Sequence, residues 1–155
     1  MDAFDVKLLN LMQQNSRLTA ETLSAEVGLS ATACQKRLKK LRDGGTIERD
    51  ISVLSPEAIG PRLTLIAEVT LERERPEILD QFKRTMQAAA EVMQCYYVTG
   101  NADFIVILTA RDMKDYDDFT RRHFFQNSNV RRFRTNVVMD SVKVTLSVPL
   151  EVGEG

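Results

Sequence analysis

Apolar residues open this chain at helical spacing. Phe4, Leu8 and Leu11 recur at i, i+4 and i+7, Leu9 and Met12 widen the stripe, and Asp2 stands where an N-cap belongs. Two further helices begin alike: Leu18-Thr19 is followed by Leu23, and Leu29-Ser30 by Cys34. In each, a hydroxyl caps the helix and the apolar residue before it staples onto the first turn. Val27-Gly28-Leu29 between them is a tight turn of helix-turn-helix length, and Gly44-Gly45 stops the third helix. Residues 1 to about 45 therefore predict three short helices.

A short extended piece from Thr46 to Leu54 follows, with breaks at Ser55-Pro56 and Gly60-Pro61. The period then changes from 3.6 to 2. Leu63, Leu65, Ala67, Val69 and Leu71 alternate with mostly polar neighbours, which predicts a half-buried strand. Pro76 suits a first helical turn, and Leu79, Phe82, Met86 and Ala89 recur on one face after it. Val92 to Val98 and Asp103 to Ala110 predict a hairpin around Thr99-Gly100-Asn101-Ala102. A helix begins near Asp112, acidic early and basic at Arg121-Arg122, the order a helix dipole favours. Phe133 to Met139 and Val142 to Val148 predict two more strands. The fold class is thus α+β: a helix-turn-helix domain over 1-50, a linker over 51-62, and a ferredoxin-like β-α-β-β-α-β domain with one extra strand over 63-155. Because Phe104 to Leu108 is apolar on both faces, the sheet needs a cover beyond its helices, and a second subunit's sheet is the simplest.

Composition narrows the function. With 43% hydrophobic and 28% charged residues the chain reads as globular. It holds no apolar run long enough for a bilayer and no secretory signal pattern at Met1 to Asp5, so a cytoplasmic, nucleoid-associated setting without membrane partners is expected. Cys34 and Cys95 lie far apart and read as small buried hydrophobes. Neither a catalytic set nor a metal-ligand spacing stands out, so neither an enzyme nor a metal or other cofactor is expected. His123, on the stripe of Tyr116 and Phe119, reads as a packed or interfacial histidine.

The net charge of −1 argues at first against nucleic acid, but it is uneven. Lys36, Arg37, Lys39, Lys40 and Arg42 follow one another with no acidic residue among them. Burying Cys34, Leu38 and Leu41 turns Thr32, Lys36, Lys39, Lys40 and, at one edge, Gln35 outward. A helix offered to the major groove needs that division. Lysine and arginine neutralise phosphate, while Thr32, Gln35 and Lys36 suit base edges, and Ser30 or the first-turn amides suit a phosphate. A solvated basic helix in a three-helix bundle would share the charge run; the paired caps, the Gly28 turn and the glycine stop favour double-stranded DNA. One copy carries too small a basic stripe for tight binding, which points to a dimer or larger assembly. Arg131, Arg132 and Arg134 form a second basic cluster, read as a solvated strand face that could instead serve DNA wrapping or intersubunit ion pairs.

The residues from Asp2 to Leu9, Val27 to Ser30, Arg37 to Leu41, Gly45 to Glu48, Cys95 to Asp103 and Val137 to Lys143, in this order and spacing, resemble the Lrp/AsnC (feast/famine) regulators. The resemblance spans nearly the whole chain. It implies a winged-type helix-turn-helix joined to a ligand-sensing domain, dimers that often assemble into tetramers or octamers, and an amino-acid effector. The effector positions it implies lie around a Gly-x-x-Asp motif, here Gly100 and Asp103 with Thr99, Asn101 and Ala102. Asn136, Val137 and Val138 correspond to a further region that influences effector response. Ala102 stands where members often carry an aromatic, and Asn127-Ser128-Asn129 where many carry Pro-Gly. Physically, a glycine lets a backbone approach a ligand and an Asp can take an α-ammonium group, although Gly100-Asn101 would equally serve as a plain hairpin turn. An effector-blind architectural DNA binder, a small ferredoxin-like enzyme and a sensor that no longer binds DNA are the competing readings.

Overall fold

In the computed structural model, which describes residues 1–151, Asp2 opens the first helix as a reciprocal cap. Its carboxylate accepts from the Phe4 and Asp5 amides, and the Asp5 carboxylate accepts from the Asp2 N–H. The chain divides into two units, Met1–Val53 joined by the stretch from Lys143 onward, and Leu54–Val142.

The first unit holds α1 (Ala3–Gln14), α2 (Ala20–Val27) and α3 (Ala31–Asp43). Thr19 and Ser30 cap the second and third, their hydroxyls accepting from the Thr22 and Ala33 amides. Gly28 ends α2 at φ +80°, a left-handed conformation that a side chain would strain, and so permits the tight turn into α3. Leu8, Leu9, Met12, Leu23, Val27, Cys34, Leu38 and Leu41 form one core, against which Leu18, Leu29 and Ile47 pack. Among the described residues this unit contains helices and no strand, so the wing implied by the resemblance is not formed as a β-hairpin here.

The stretch from Val142 to Val148 corrects an expectation. It forms no strand, and Val142, Val144, Leu146 and Val148 stay exposed. Alternation specifies an extended backbone without naming its partner. The partner here is α1. The Gln13 carboxamide acts like a strand edge, donating to the Val148 carbonyl at 3.0 Å and accepting from the Val148 amide at 2.7 Å. Ser147 Oγ donates to the Gln13 carbonyl, and Asn10 Nδ2 to the Leu150 carbonyl. Leu150 packs, partly buried, on the core of the three helices.

The second unit begins with one helical turn, α4 (Pro56–Ile59), capped by Ser55 within the stretch expected as linker. It continues with β1 (Leu63–Leu71), α5 (Pro76–Ala88), β2 (Val92–Tyr97), β3 (Phe104–Ala110), α6 (Met113–Thr120) and β4 (Val130–Val137). The sheet order β2-β3-β1-β4, antiparallel throughout, is the ferredoxin-like arrangement the element order predicts. Leu65, Ala67, Val69 and Leu71 of β1 and Phe104, Val106 and Leu108 of β3 face the helices, meeting Phe82, Met86, Tyr116 and Phe119. On the opposite face Ile66, Ile105 and Ile107 remain half-buried.

One element escaped the periodicity. After α6 the helix widens into a π-helical turn, Arg121–Phe125, which turns Phe124 into the core edge-on to Phe119 and 4.8 Å between centroids from Phe133. His123, as expected, is packed: its ring lies 4.6 Å from that of Phe119, with Nε2 buried and unpartnered. Burial, and then the Arg122 charge, holds its pKa below the usual imidazole value.

Candidate nucleic-acid interface and ligand loop

Helix α3 has the two sides its pattern requires. Cys34, Leu38 and Leu41 are buried, while Thr32, Gln35, Lys36, Lys39 and Lys40 are exposed. Its 13 residues give a rod about 20 Å long. The Ser30 hydroxyl is committed to the Ala33 amide, so an anion at this helix start would meet the remaining first-turn amides.

The basic run is not uniform in role. The Arg37 guanidinium is clasped by Asp2 at 2.7 Å and Asp5 at 2.8 Å, and lies over the Phe4 ring at 5.5 Å. These contacts tie α3 to the start of α1. Hydrogen bonds from the Asp5 amide and from Arg37 hold the Asp2 carboxyl below its ordinary pKa. Asp5 is lowered as well: its desolvation is outweighed by the Asp2 amide and Arg37. Arg42 pairs with Asp50, and Lys39 with Asp43 one turn on. An exposed i,i+4 pair is weak and leaves Lys39 able to exchange partners. Lys36 and Lys40 form no ion pair among the described residues. The sequence placed five cations on one helix; the fold divides them into structural and free.

The second set surrounds the β2–β3 turn. Gly100 has φ +114°, which glycine alone adopts readily, so the turn depends on it. Thr99, Asn101 and Ala102 complete the turn. Asp103 points inward: it is buried, and its Oδ2 accepts from the Leu71 amide at 2.7 Å. Its backbone amide donates to the Val69 carbonyl and its carbonyl accepts from the Val98 amide. The Asp103 carboxylate thus ties the end of β1 to the start of β3. Glu74, hydrogen-bonded to Asp103 and repelled by its charge, has its carboxyl pKa raised.

Asn136, Val137 and Val138 are not brought to this turn within one chain. Asn136 pairs with Ile66 and Val137 with Leu65, and the Val138 amide donates to the Thr64 carbonyl. The turn meets β1 at Thr70, whose hydroxyl donates to the Asn101 carbonyl. Six residues of strand separate Thr64 from Thr70, about 20 Å at roughly 3.3 Å per residue. What does approach the turn is Glu68 and Thr70 of β1 with Arg132 and Arg134 of β4. The arginine cluster was visible in the sequence; its proximity to the turn depends on β4 lying beside β1, which no local pattern encodes.

Comparison with known proteins follows the same division. Residues 1–42 match the AsnC-type helix-turn-helix domain and residues 64–148 the Lrp/AsnC ligand binding domain. The chain is 55% identical over 152 residues to an uncharacterized HTH-type transcriptional regulator of Sinorhizobium fredii, covering 98% of this chain and 90% of that one. It is 35% identical over 145 residues to the leucine-responsive regulatory protein of Haemophilus influenzae, covering 94% and 87%. Among solved structures, a transcriptional regulator of Neisseria meningitidis in complex with L-Met superposes with a TM-score of 0.89 at 30% identity, covering 96% of each chain.

Proposed function

The chain belongs to the Lrp/AsnC family of transcriptional regulators, and on that premise we propose that it is a sequence-specific, oligomeric DNA-binding regulator responsive to an amino acid. The division of α3 carries the reading. An apolar back seats the helix on α1 and α2, and the exposed front presents Thr32, Gln35, Lys36 and Lys40 without ion pairs among the described residues. Gln35 has the geometry to pair with adenine and Lys36 to reach guanine, while Lys39 and Lys40 neutralise phosphate. Arg37 acts from behind this face by fixing α3 against α1.

Two such helices reach successive major grooves only when two copies are joined, since half-sites lie about 34 Å apart. The outer sheet face supports that step: Ile66, Ile105 and Ile107 form a half-buried apolar band that a second copy's sheet would cover. The names of two relatives, one leucine-responsive and one solved with L-Met, support an amino acid as effector.

Selection of operators from random duplexes, followed by footprinting of variants, tests the DNA half. Lys40→Ala is expected to weaken binding across all sequences and lower the salt slope by about one, while Lys36→Ala is expected to weaken binding chiefly to sequences that carry guanine at its base pair. Gln35→Ala is expected to relax sequence choice by about 1–3 kcal/mol at one base pair. Wild-type footprints from all three variants would remove α3 as the reading element. Sizing with and without each of the twenty amino acids tests the other half; binding to DNA with no response to any of them would leave an effector-blind architectural protein.

A further inference from the structure

The chain joins the DNA-binding unit to the sheet unit twice, once going out and once coming back. Going out, Ile47 packs on the helical core with its amide donating to the Leu41 carbonyl, and β1 begins at Leu63. At about 3.3–3.6 Å per residue, and allowing for the turn of α4, that stretch spans up to roughly 50 Å. The Arg42–Asp50 ion pair along it is exposed and adds little restraint. Coming back, the Val138 amide is held by the Thr64 carbonyl, and the next hold is at Ser147 and Val148. Residues 139–146 between these holds allow a reach of no more than about 30 Å.

The returning stretch is held at its end and not along its length. Val142, Val144 and Leu146 are exposed. The hold is a clasp centred on Gln13, whose carboxamide donates to the Val148 carbonyl and accepts from the Val148 amide at once. The Gln13 backbone carbonyl lies in the last turn of α1, where carbonyls lack an intrahelical donor, and Ser147 Oγ donates to it. Asn10 Nδ2 adds a bond to the Leu150 carbonyl. The buried core residues of the three helices all lie between Leu8 and Leu41, and Leu150 meets them only partly buried. The stretch is thus fastened onto a core that other residues make.

We propose that this clasp makes the C-terminal stretch a second tether on the reading helix, and that Gln13, as a positioning residue, thereby selects the spacing between paired half-sites. On the outgoing tether alone, a reading unit with a reach of roughly 50 Å follows a half-site moved by half a turn of DNA. Such a move carries it about 17 Å along the axis and to the opposite side of the duplex. Two tethers of unequal length leave the unit only the positions that both can reach. When two copies are joined, binding of the second half-site is intramolecular, and its effective concentration is highest when the linker matches the span. The clasp therefore concentrates the second helix at one spacing and withholds it from others, while the contacts of α3 with a single half-site stay as they are. The inference deepens the DNA-reading function given above and rests on it.

The test uses the full chain and duplexes that carry the selected half-site once, or twice at spacings varied base pair by base pair across one helical turn. Wild type should favour one spacing and bind at least tenfold more weakly when it is shifted by half a turn. Gln13→Met keeps the side-chain length and helix propensity but neither carboxamide bond to Val148. It should bring that ratio to threefold or less, with affinity for the single half-site unchanged. A chain ended after Asp140, which leaves α1 unaltered, should do the same, and Val144→Ala, outside the clasp, should keep the wild-type ratio. A wild-type ratio in the shortened chain overturns the tether, and one in Gln13→Met alone removes Gln13 as its clasp. Equal weakening at every spacing and at the single half-site makes Gln13 a support of the helices and overturns the proposal. So does a smaller assembly of the variants on sizing, which would place the stretch in the join between copies. Wild-type binding without preference among spacings overturns the tether and leaves the DNA reading intact; no binding by wild type to any duplex overturns both.

Discussion

Replacing Leu150 by alanine separates the observed path of the C-terminal segment from the path its sequence pattern predicts. Leu150 lies on the core of α1, α2 and α3, and the segment before it is held by the Gln13 carboxamide at Val148. The substitution removes three carbons, and at about 0.8 kcal/mol per buried methylene a fully buried site would lose about 2.4 kcal/mol. Leu150 is only partly buried, so about half of that, roughly 1 kcal/mol, is expected. For a unit of this size the shift in Tm is then about 4–8 °C. Val144, 79% exposed on the same segment, should tolerate alanine within about 0.5 kcal/mol. Were residues 142–148 instead a strand of the sheet, Val144 would face its core and the order of the two effects would reverse. Calorimetric unfolding of both variants, with hydrogen exchange at the α1 amides, reads the difference. A Val144→Ala shift equal to or larger than that of Leu150→Ala refutes the latch on α1.

Other consequences can be checked with equal directness. Asp103→Ala should cost about 1–3 kcal/mol by leaving the buried Leu71 amide without an acceptor, while Asp103→Asn, which keeps an acceptor oxygen, should cost less; equal urea midpoints for the two variants would contradict the structural role. His123 has a folded-state pKa below its ordinary value of 6.5, so the unfolded chain binds more protons in that window. Its contribution to stability is accordingly full above pH 6.5 and is lost as pH falls through the folded value. A His123→Gln variant should show a flatter pH dependence there, and identical curves would remove His123 as the cause. Cys95, whose thiol pKa burial pushes up to about 11, should resist alkylation at neutral pH in the native state and react once unfolded; rapid native labelling would show the site to be open.

Much of the fold was legible because its signals are local. Caps at Asp2, Thr19 and Ser30, the left-handed turn at Gly28 and the buried stripe of α3 are each written within a few residues. Five strand-like segments were visible in the sequence, yet among the described residues only four pair. The segment from 142 to 148 has the same alternation as β1, and its fate was decided by Gln13, some 135 residues away in sequence. The π-helical turn at Arg121 was illegible for a related reason: only the demand of the core for Phe124 and Phe133 together sets that extra backbone turn.

The same boundary runs through the two functional regions. From sequence alone, the basic run of α3 and the Gly100 turn could be marked out as a DNA face and a ligand loop. Tertiary structure then assigned the individual charges. It drew Arg37 into a clasp with Asp2 and Asp5, turned Asp103 inward to the Leu71 amide, and set Arg132 and Glu68 beside Ala102. A helix or strand period says which face a residue occupies, because backbone geometry repeats over a few residues. Whether a charge on that face meets a partner depends on what another element places opposite it, and that is fixed only when the chain closes on itself.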